Sequence, residues 1–397
     1  MSDCFKQLAA ADVDDVPQVT EACVTFLLSN KHLLSSDNPS KLTEELLQSS
    51  NSAIVLRGLD VLFTVLRRLA KDHLDLVNSV SSNFNLLSYI ENLLNTGDVL
   101  SKLALLETFA SFLDDRNIAL SIIHTPSITA VIGKIKEIGN ECTKSTDYEA
   151  SFMLNAVISF SSHLVHFPTS IISQFIPLLR VGLRLDADCL VVTIGAVGKL
   201  LTHPDSRHLL LNDKPASSSL PVHVAIHALP PSNKSVSSPT SIAAKHAMGA
   251  ALIAESRQPS TTSSLVAFEH AARRISSPYP NAIYDQCKRS SGDVDCMQAA
   301  LNLTRGACSL GRGLQGMSRV GGFLEWITSD DRFLSTQVAH ERFAVLEAIN
   351  NTETLLREKG QGLLSDSSIV EIKTKLRLGP FGGAAEYAVA VGEEVAG

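Results

Sequence analysis

Apolar residues recur at helical spacing along most of this chain. The runs 53–70 (AIVLRGLDVLFTVLRRLA), 98–113 (DVLSKLALLETFASFL), 148–165 (YEASFMLNAVISFSSHLV) and 186–201 (DADCLVVTIGAVGKLL) place Leu, Val, Ile or Phe every third or fourth position. That period predicts amphipathic helices with one face turned to a core. Asp98 and Asp186 stand where an N-cap oxygen would accept the free amide hydrogens of the first turn. Pro168 and Pro204 fall just after helical runs, where a missing N–H prevents continuation. The β-branched stretch 122–132 is interrupted by Pro126 and is not repeated as a sheet would require.

Three segments can be laid over one another: LETFASFLDDRNIALSII from Leu106, IGAVGKLLTHPDSRHLLL from Ile194 and LNLTRGACSLGRGLQGM from Leu301. In each, a helix is followed by a short polar break and a second small apolar segment. The first two start 88 residues apart, twice 44, and an earlier helix near Leu59 starts 47 residues before Leu106. The third fits once an insertion is allowed. A period of roughly 40–47 residues is that of armadillo and HEAT units. One helical pair cannot cover its own apolar face, so it stacks on the next. The expected fold is therefore all-α, an armadillo/HEAT-type helical-repeat solenoid.

The expected organisation is N-terminal helical repeats over 1–211, a linker or insertion loop over 212–241, C-terminal repeats over 242–378 and a flexible tail over 379–397. The loop assignment rests on NDKPASSSLPVHVAIHALPPSNKSVSSPTS, rich in Ser and Pro.

Composition narrows the function. The formal net charge of −7 argues against a role on nucleic acid, which needs clustered Lys and Arg. No uninterrupted apolar run approaches the roughly 20 residues of a membrane helix. Seven cysteines without C-x-x-C spacing suit reduced thiols in the cytosol or nucleus, and no secretory signal is visible.

Residues 311–316, GRGLQG, spell the dinucleotide pattern G-x-G-x-x-G, with Asp331 about twenty positions on. The preceding CMQAALNLTRGACSL has helical rather than strand periodicity, and the following MSRVGG would break a helix. The pattern reads as a turn between two helices, its glycines supplying tight-turn dihedrals. His163/His166 and His223/His227 have metal-compatible spacing but no third ligand nearby. Asp14–Asp15, Asp114–Asp115 and Asp330–Asp331 sit at expected turns, where capping explains them. Cys308 has no neighbouring His and reads as a buried thiol. No catalytic constellation emerges and no cofactor or metal is implied. The candidate surface is a helical face for a protein partner, with Lys102, Glu107 and Ser111 on 98–113, Lys199 and His203 on and after 186–201, and Asn302 and Arg305 on the third helix.

At the C-terminus, RFAVLEAINNTETL (342–355) is followed by IKTKLRLGPF (372–381) and a tail ending in EEVAG. Further back stand DVDCMQAALNLT (293–304), GGFLEWI (321–327) and DADCLVVTIGAVGKLLTHPDSRHLLL (186–211). In order and register these resemble the 26S proteasome non-ATPase regulatory subunit 5 family, over roughly 97–211 and 263–397. The resemblance implies a non-catalytic assembly chaperone of the base of the regulatory particle, of armadillo/HEAT fold. Such a protein grips the C-terminal domain of the ATPase regulatory subunit 7, in a precursor that also holds regulatory subunit 4 and a large non-ATPase scaffold subunit. It leaves before the mature particle forms. A monomer when free, in cytoplasm or nucleus, is the corresponding expectation. The alternative is a general armadillo/HEAT adaptor for other protein partners.

Overall fold

The computed structural model describes residues 2–31, 34, 46–73, 77, 86–123, 125–212, 219–231, 235–259, 263–275, 277–329 and 335–381. Among them there are helices and turns but no strands, as the periodicity requires. The chain divides into two compact units, Met1–Ala196 and Val197–Gly397.

Unit 1 opens with α1 (Ser2–Ala10) and α2 (Val16–Ser29), followed by α3 (Ser52–Leu69), α4 (Leu86–Thr96), α5 (Val99–Leu113) and the short α6 (Arg116–Ile122). Then come α7 (Pro126–Cys142), α8 (Tyr148–Ser161), α9 (Thr169–Ile172), α10 (Ile176–Gly182) and the first part of α11 (Ala187–Leu201). α5 lies between α3 and α8, while α4 and α7 pack behind this row. The caps follow from local chemistry: Asp98 Oδ1 accepts from the Ser101 amide at 2.7 Å, and Asp186 Oδ1 accepts from that of Cys189 at 2.9 Å. Pro168 and Pro204 end one helix and introduce the next.

The unit 1 core is aromatic. Phe63 of α3 stacks on Phe112 of α5 with ring centroids 4.3 Å apart, Phe109 lies 5.7 Å from Phe160 of α8, and Phe160 lies 6.5 Å from Phe175. All five rings are buried, so each row of the stack contributes a ring to one continuous apolar column.

Unit 2 contains the end of α11, α12 (Pro204–Asn212), α13 (Leu220–Ala228), α14 (Pro239–Arg257), α15 (Leu265–Ile275), α16 (Tyr279–Arg289) and α17 (Val294–Cys308). It ends with α18 (Gly311–Met317), α19 (Phe323–Thr328), α20 (Thr336–Glu358) and α21 (Asp366–Leu378). α17 is sandwiched between α14 and α20, with α16 and α18 alongside. Small residues set this spacing: a Cβ on Gly306 would lie 2.7 Å from the Gly249 carbonyl oxygen, so the α14 and α17 backbones touch where they cross.

Two sequence expectations are corrected. The division falls at 196/197 rather than near 212, because α11 from Val197 onward and α12 pack on α14, Gly198 against Ala247 and Arg207 toward Glu255. The stretch 212–241 is not wholly a connection either, since Leu220–Ala228 is helical and buries Leu220, Val222, Val224 and Ala225. Pro221, in its first turn, starts rather than breaks this helix. Residues 213–218 and 232–234 lie outside the described residues, as does the tail beyond Phe381.

The GRGLQG reading is corrected in part. The segment forms α18 instead of a turn, and its glycines serve packing: a Cβ on Gly316 would lie 2.9 Å from Pro280 Cγ. The left-handed backbone falls later, at Gly322 with φ 79°, where α19 begins. A seven-residue helix preceded by a helix gives no strand-borne phosphate cradle.

Buried charges occupy the ends of the unit 2 helices. Arg207, 0% exposed, donates to the carbonyls of Leu201 at 3.0 Å, Gln258 at 3.3 Å and Thr202 at 3.5 Å, with Glu255 at 3.9 Å. Arg342 donates to Ile327 at 2.7 Å and Trp326 at 3.0 Å, and also to Ser329. In both cases a guanidinium supplies the donors that the last carbonyls of a helix lack and meets the negative end of its dipole. Lys245, also 0% exposed, donates to the Val236 carbonyl at 3.3 Å, an oxygen that accepts from Cys296 Sγ at the same distance.

Candidate protein-binding groove

The spacing of α5 places Leu103, Leu106, Glu107, Ala110, Ser111 and Asp114 along one face. Opposite them Ala156, Ser159 and Phe160 of α8, with His163 in the 3-10 turn that follows it, complete an open groove of about 460 Å³. The floor is apolar, Leu106 and Phe160 being buried, while Glu107 is exposed on the rim. His163 Nδ1 lies 2.8 Å from Asp114 Oδ1, and Arg67 of α3 donates to Ser111 Oγ at 3.1 Å. Arg67 also acts on Asp60, two turns earlier on the same face of α3: burial pushes that carboxyl up, and the guanidinium only partly opposes it.

Further along the same faces stand large apolar side chains in solvent. Leu100 is 78% exposed, Tyr148 78% and Phe152 46%, the two rings meeting edge to face at 4.5 Å. Leu100 lies one turn before Leu103, and Phe152 one turn before Ala156, so these residues extend the groove floor toward the N-terminal ends of α5 and α8. An apolar strip bordered by polar groups is the physical signature of a surface that another molecule covers.

The structure brings two of the seven sequence-derived candidates into this groove, Glu107 and Ser111. Lys102 is half-buried and lies within electrostatic reach of Asp98 and of Cys142 at the end of α7. Five residues correspond to about 500° of helix rotation, which turns it some 140° from Glu107. Lys199, His203, Asn302 and Arg305 belong to unit 2 and do not line the groove. Lys199 and His203 are half-buried at the end of α11 and in the turn after it. Asn302 faces α14: its Nδ2 is 3.1 Å from His246 Nδ1, and its Oδ1 would lie 2.7 Å from a Cβ on Gly249. Arg305 is half-buried on α17.

Asp114, Ser159 and His163 were not among the candidates, although a signal existed. Phe152, Ala156, Ser159, Phe160 and His163 follow the same three-and-four spacing that singled out Glu107 and Ser111. The H-x-x-H spacing of His163 and His166 drew attention to metal binding instead. No group of three His, Cys, Asp or Glu among the described residues could hold a metal ion. Asp115 caps α6, accepting from the Asn117 amide at 2.9 Å, while Asp330–Asp331 lies outside the described residues. Cys308 is buried, and desolvation raises its thiol pKa far above the ordinary range.

No single helix among the described residues is long and apolar enough to cross a membrane. No protein-family model matches the chain, and no curated protein matches it either.

Proposed function

We propose that the chain is an armadillo/HEAT-type helical-repeat protein and a non-catalytic assembly chaperone for the base of the 26S proteasome regulatory particle. In this reading it holds the C-terminal domain of the ATPase regulatory subunit 7, in a precursor with regulatory subunit 4 and a large non-ATPase scaffold subunit, and leaves before the particle matures. The partner identity comes from the resemblance of 293–304, 321–327, 342–355 and 372–381 to the regulatory subunit 5 family. The observation that carries the mode of action is the α5/α8 groove, whose apolar floor is continuous with exposed Leu100, Tyr148 and Phe152. Apolar contact supplies attraction, and the Glu107, Asp114 and His163 rim supplies register. Release requires only that later contacts on the ATPase outcompete a moderate interface.

The test is titration of the full chain with the recombinant C-terminal domain of regulatory subunit 7. Binding is expected, and Glu107→Lys weakens it by about tenfold without lowering the melting temperature, since a rim charge contributes to register rather than to folding. Absence of binding rejects the proteasomal reading. Equal binding of unrelated helical peptides supports a general adaptor.

A further inference from the structure

Cys4 on α1 and Cys23 on α2 have their thiols in hydrogen-bonding contact, Cys4 half-exposed and Cys23 fully buried. The hairpin geometry independently places them side by side. Cys4 lies six residues before the end of α1 at Ala10, and Cys23 seven residues after the start of α2 at Val16. At 1.5 Å rise per residue these are about 9 and about 10.5 Å from the connecting turn, the same level of two packed helices. α1 has nine residues, too few to persist alone in water, and it is held by docking. Phe5 and Leu8 are its buried contacts, and Arg57 of α3 donates to the Leu8 carbonyl at 2.8 Å.

We propose that Cys4 and Cys23 are an oxidative modification site, forming a reversible disulfide that staples α1 to α2 when hydrogen peroxide reaches the chain. The half-exposed Cys4 attacks first as its thiolate: an S–O bond forms and the O–O bond breaks. The departing hydroxide takes a proton, leaving Cys4 as a sulfenic acid and one water. The Cys23 sulfur then attacks the Cys4 sulfur. An S–S bond forms, the S–O bond breaks, and the released hydroxide carries off the Cys23 proton as a second water. Two thiols lose two electrons and two protons in all, and the peroxide is reduced to two waters. Burial, with Cys4 adding to it, pushes the Cys23 thiol up to about 12, so the first attack falls to Cys4, and Cys23 resolves through its contact with the Cys4 sulfur as its proton passes to the departing hydroxide. A dithiol reductant reverses the bond by exchange.

The full chain is treated with hydrogen peroxide, its remaining thiols are alkylated, and it is digested without reductant for mass spectrometry. A peptide pair joined through Cys4 and Cys23 and separated by dithiothreitol is expected. Amide hydrogen exchange across 2–10 should slow by about tenfold in the oxidised chain, because the crosslink removes the detached state of α1. Cys4→Ser abolishes the crosslink and leaves Cys23 reduced. Cys23→Ala, which removes no more than a small buried group, leaves Cys4 at the sulfenic or sulfinic stage. Cys4 driven to sulfinic acid beside a free Cys23 in the wild-type chain overturns the proposal, and so does Cys4 bonded to any other cysteine.

Discussion

Unit 1 and unit 2 share a helical architecture but hold it together by different means. Unit 1 is built around rings, with Phe63, Phe109, Phe112, Phe160 and Phe175 linking successive helices. Unit 2 is built around small residues and buried charge: Gly249 against Gly306, Ala244, Ala251, Ala299 and Ala300 in the core, and Arg207, Lys245 and Glu353 at 2% exposure or less. Their surfaces differ as well. Unit 1 carries 22 acidic against 14 basic side chains, a net charge of −8, and unit 2 carries 19 against 20, a net charge of +1. A core of large rings tolerates loose helix spacing and leaves grooves such as that between α5 and α8. Backbone-to-backbone crossing leaves no room between α14 and α17 where Gly249 meets Gly306, and a charge buried beside such a crossing needs a partner.

The sharpest way to break this contrast is Phe109→Ala. Removing a ring at 0% exposure that touches three others should cost about 3–5 kcal/mol. In calorimetry of the full chain, the unit 1 transition should fall and that of unit 2 stay in place. Gly306→Val is the counterpart for unit 2, expected to cost about 1–3 kcal/mol by forcing α14 and α17 apart, with unit 1 unmoved. A single shared transition responding to both substitutions would dissolve the distinction between the units.

A smaller effect comes from Lys245. Burial lowers its pKa in the folded state, Cys296, Cys287 and Asp293 opposing the shift and Arg289 adding to it. The unfolded chain therefore binds more protons between the lowered value and the ordinary lysine pKa of about 10.4. The lysine contribution to unit 2 stability rises with pH across that window. The buried Cys287 thiol, pushed up to about 11, acts with opposite sign above the ordinary thiol range. The informative quantity is thus the difference between wild type and Lys245→Met, which should shrink as pH rises from 7 to 10 in thermal melts; a constant difference contradicts a buried titrating amine. Smallest is the response to salt. Raising ionic strength until the screening length is about 3 Å should raise the unit 1 midpoint relative to that of unit 2, because only unit 1 carries substantial self-repulsion.

Much of unit 1 was legible because its helices begin with visible chemistry. Asp98 and Asp186 announce α5 and α11, and Glu107 and Ser111 share a face by a spacing of four that needs no coordinates. Lys102 misled because it is polar and close in sequence, while its angular position belongs to another face. Unit 2 was harder. The run LPVHVAIHAL is apolar on all sides and bracketed by Ser and Pro, so neither period nor composition separated a buried helix from a loop. The glycines of GRGLQG read as turn residues, and only the position of Pro280, remote along the chain, shows that Gly316 serves close packing. The burial of Arg207 leaves no mark in the local sequence, since the carbonyl of Gln258 that receives it is remote along the chain.

That arginine also constrains the order of events during synthesis. Its guanidinium reaches full burial against Glu255 and the carbonyl of Gln258, both made well after α12 has left the ribosome. Burying it earlier would strand a charge in apolar surroundings, so the final burial of α12 depends on the chain having been made through Gln258. The aromatic column of unit 1, complete by Phe175, can form meanwhile, and the nascent chain matures from its N-terminal end.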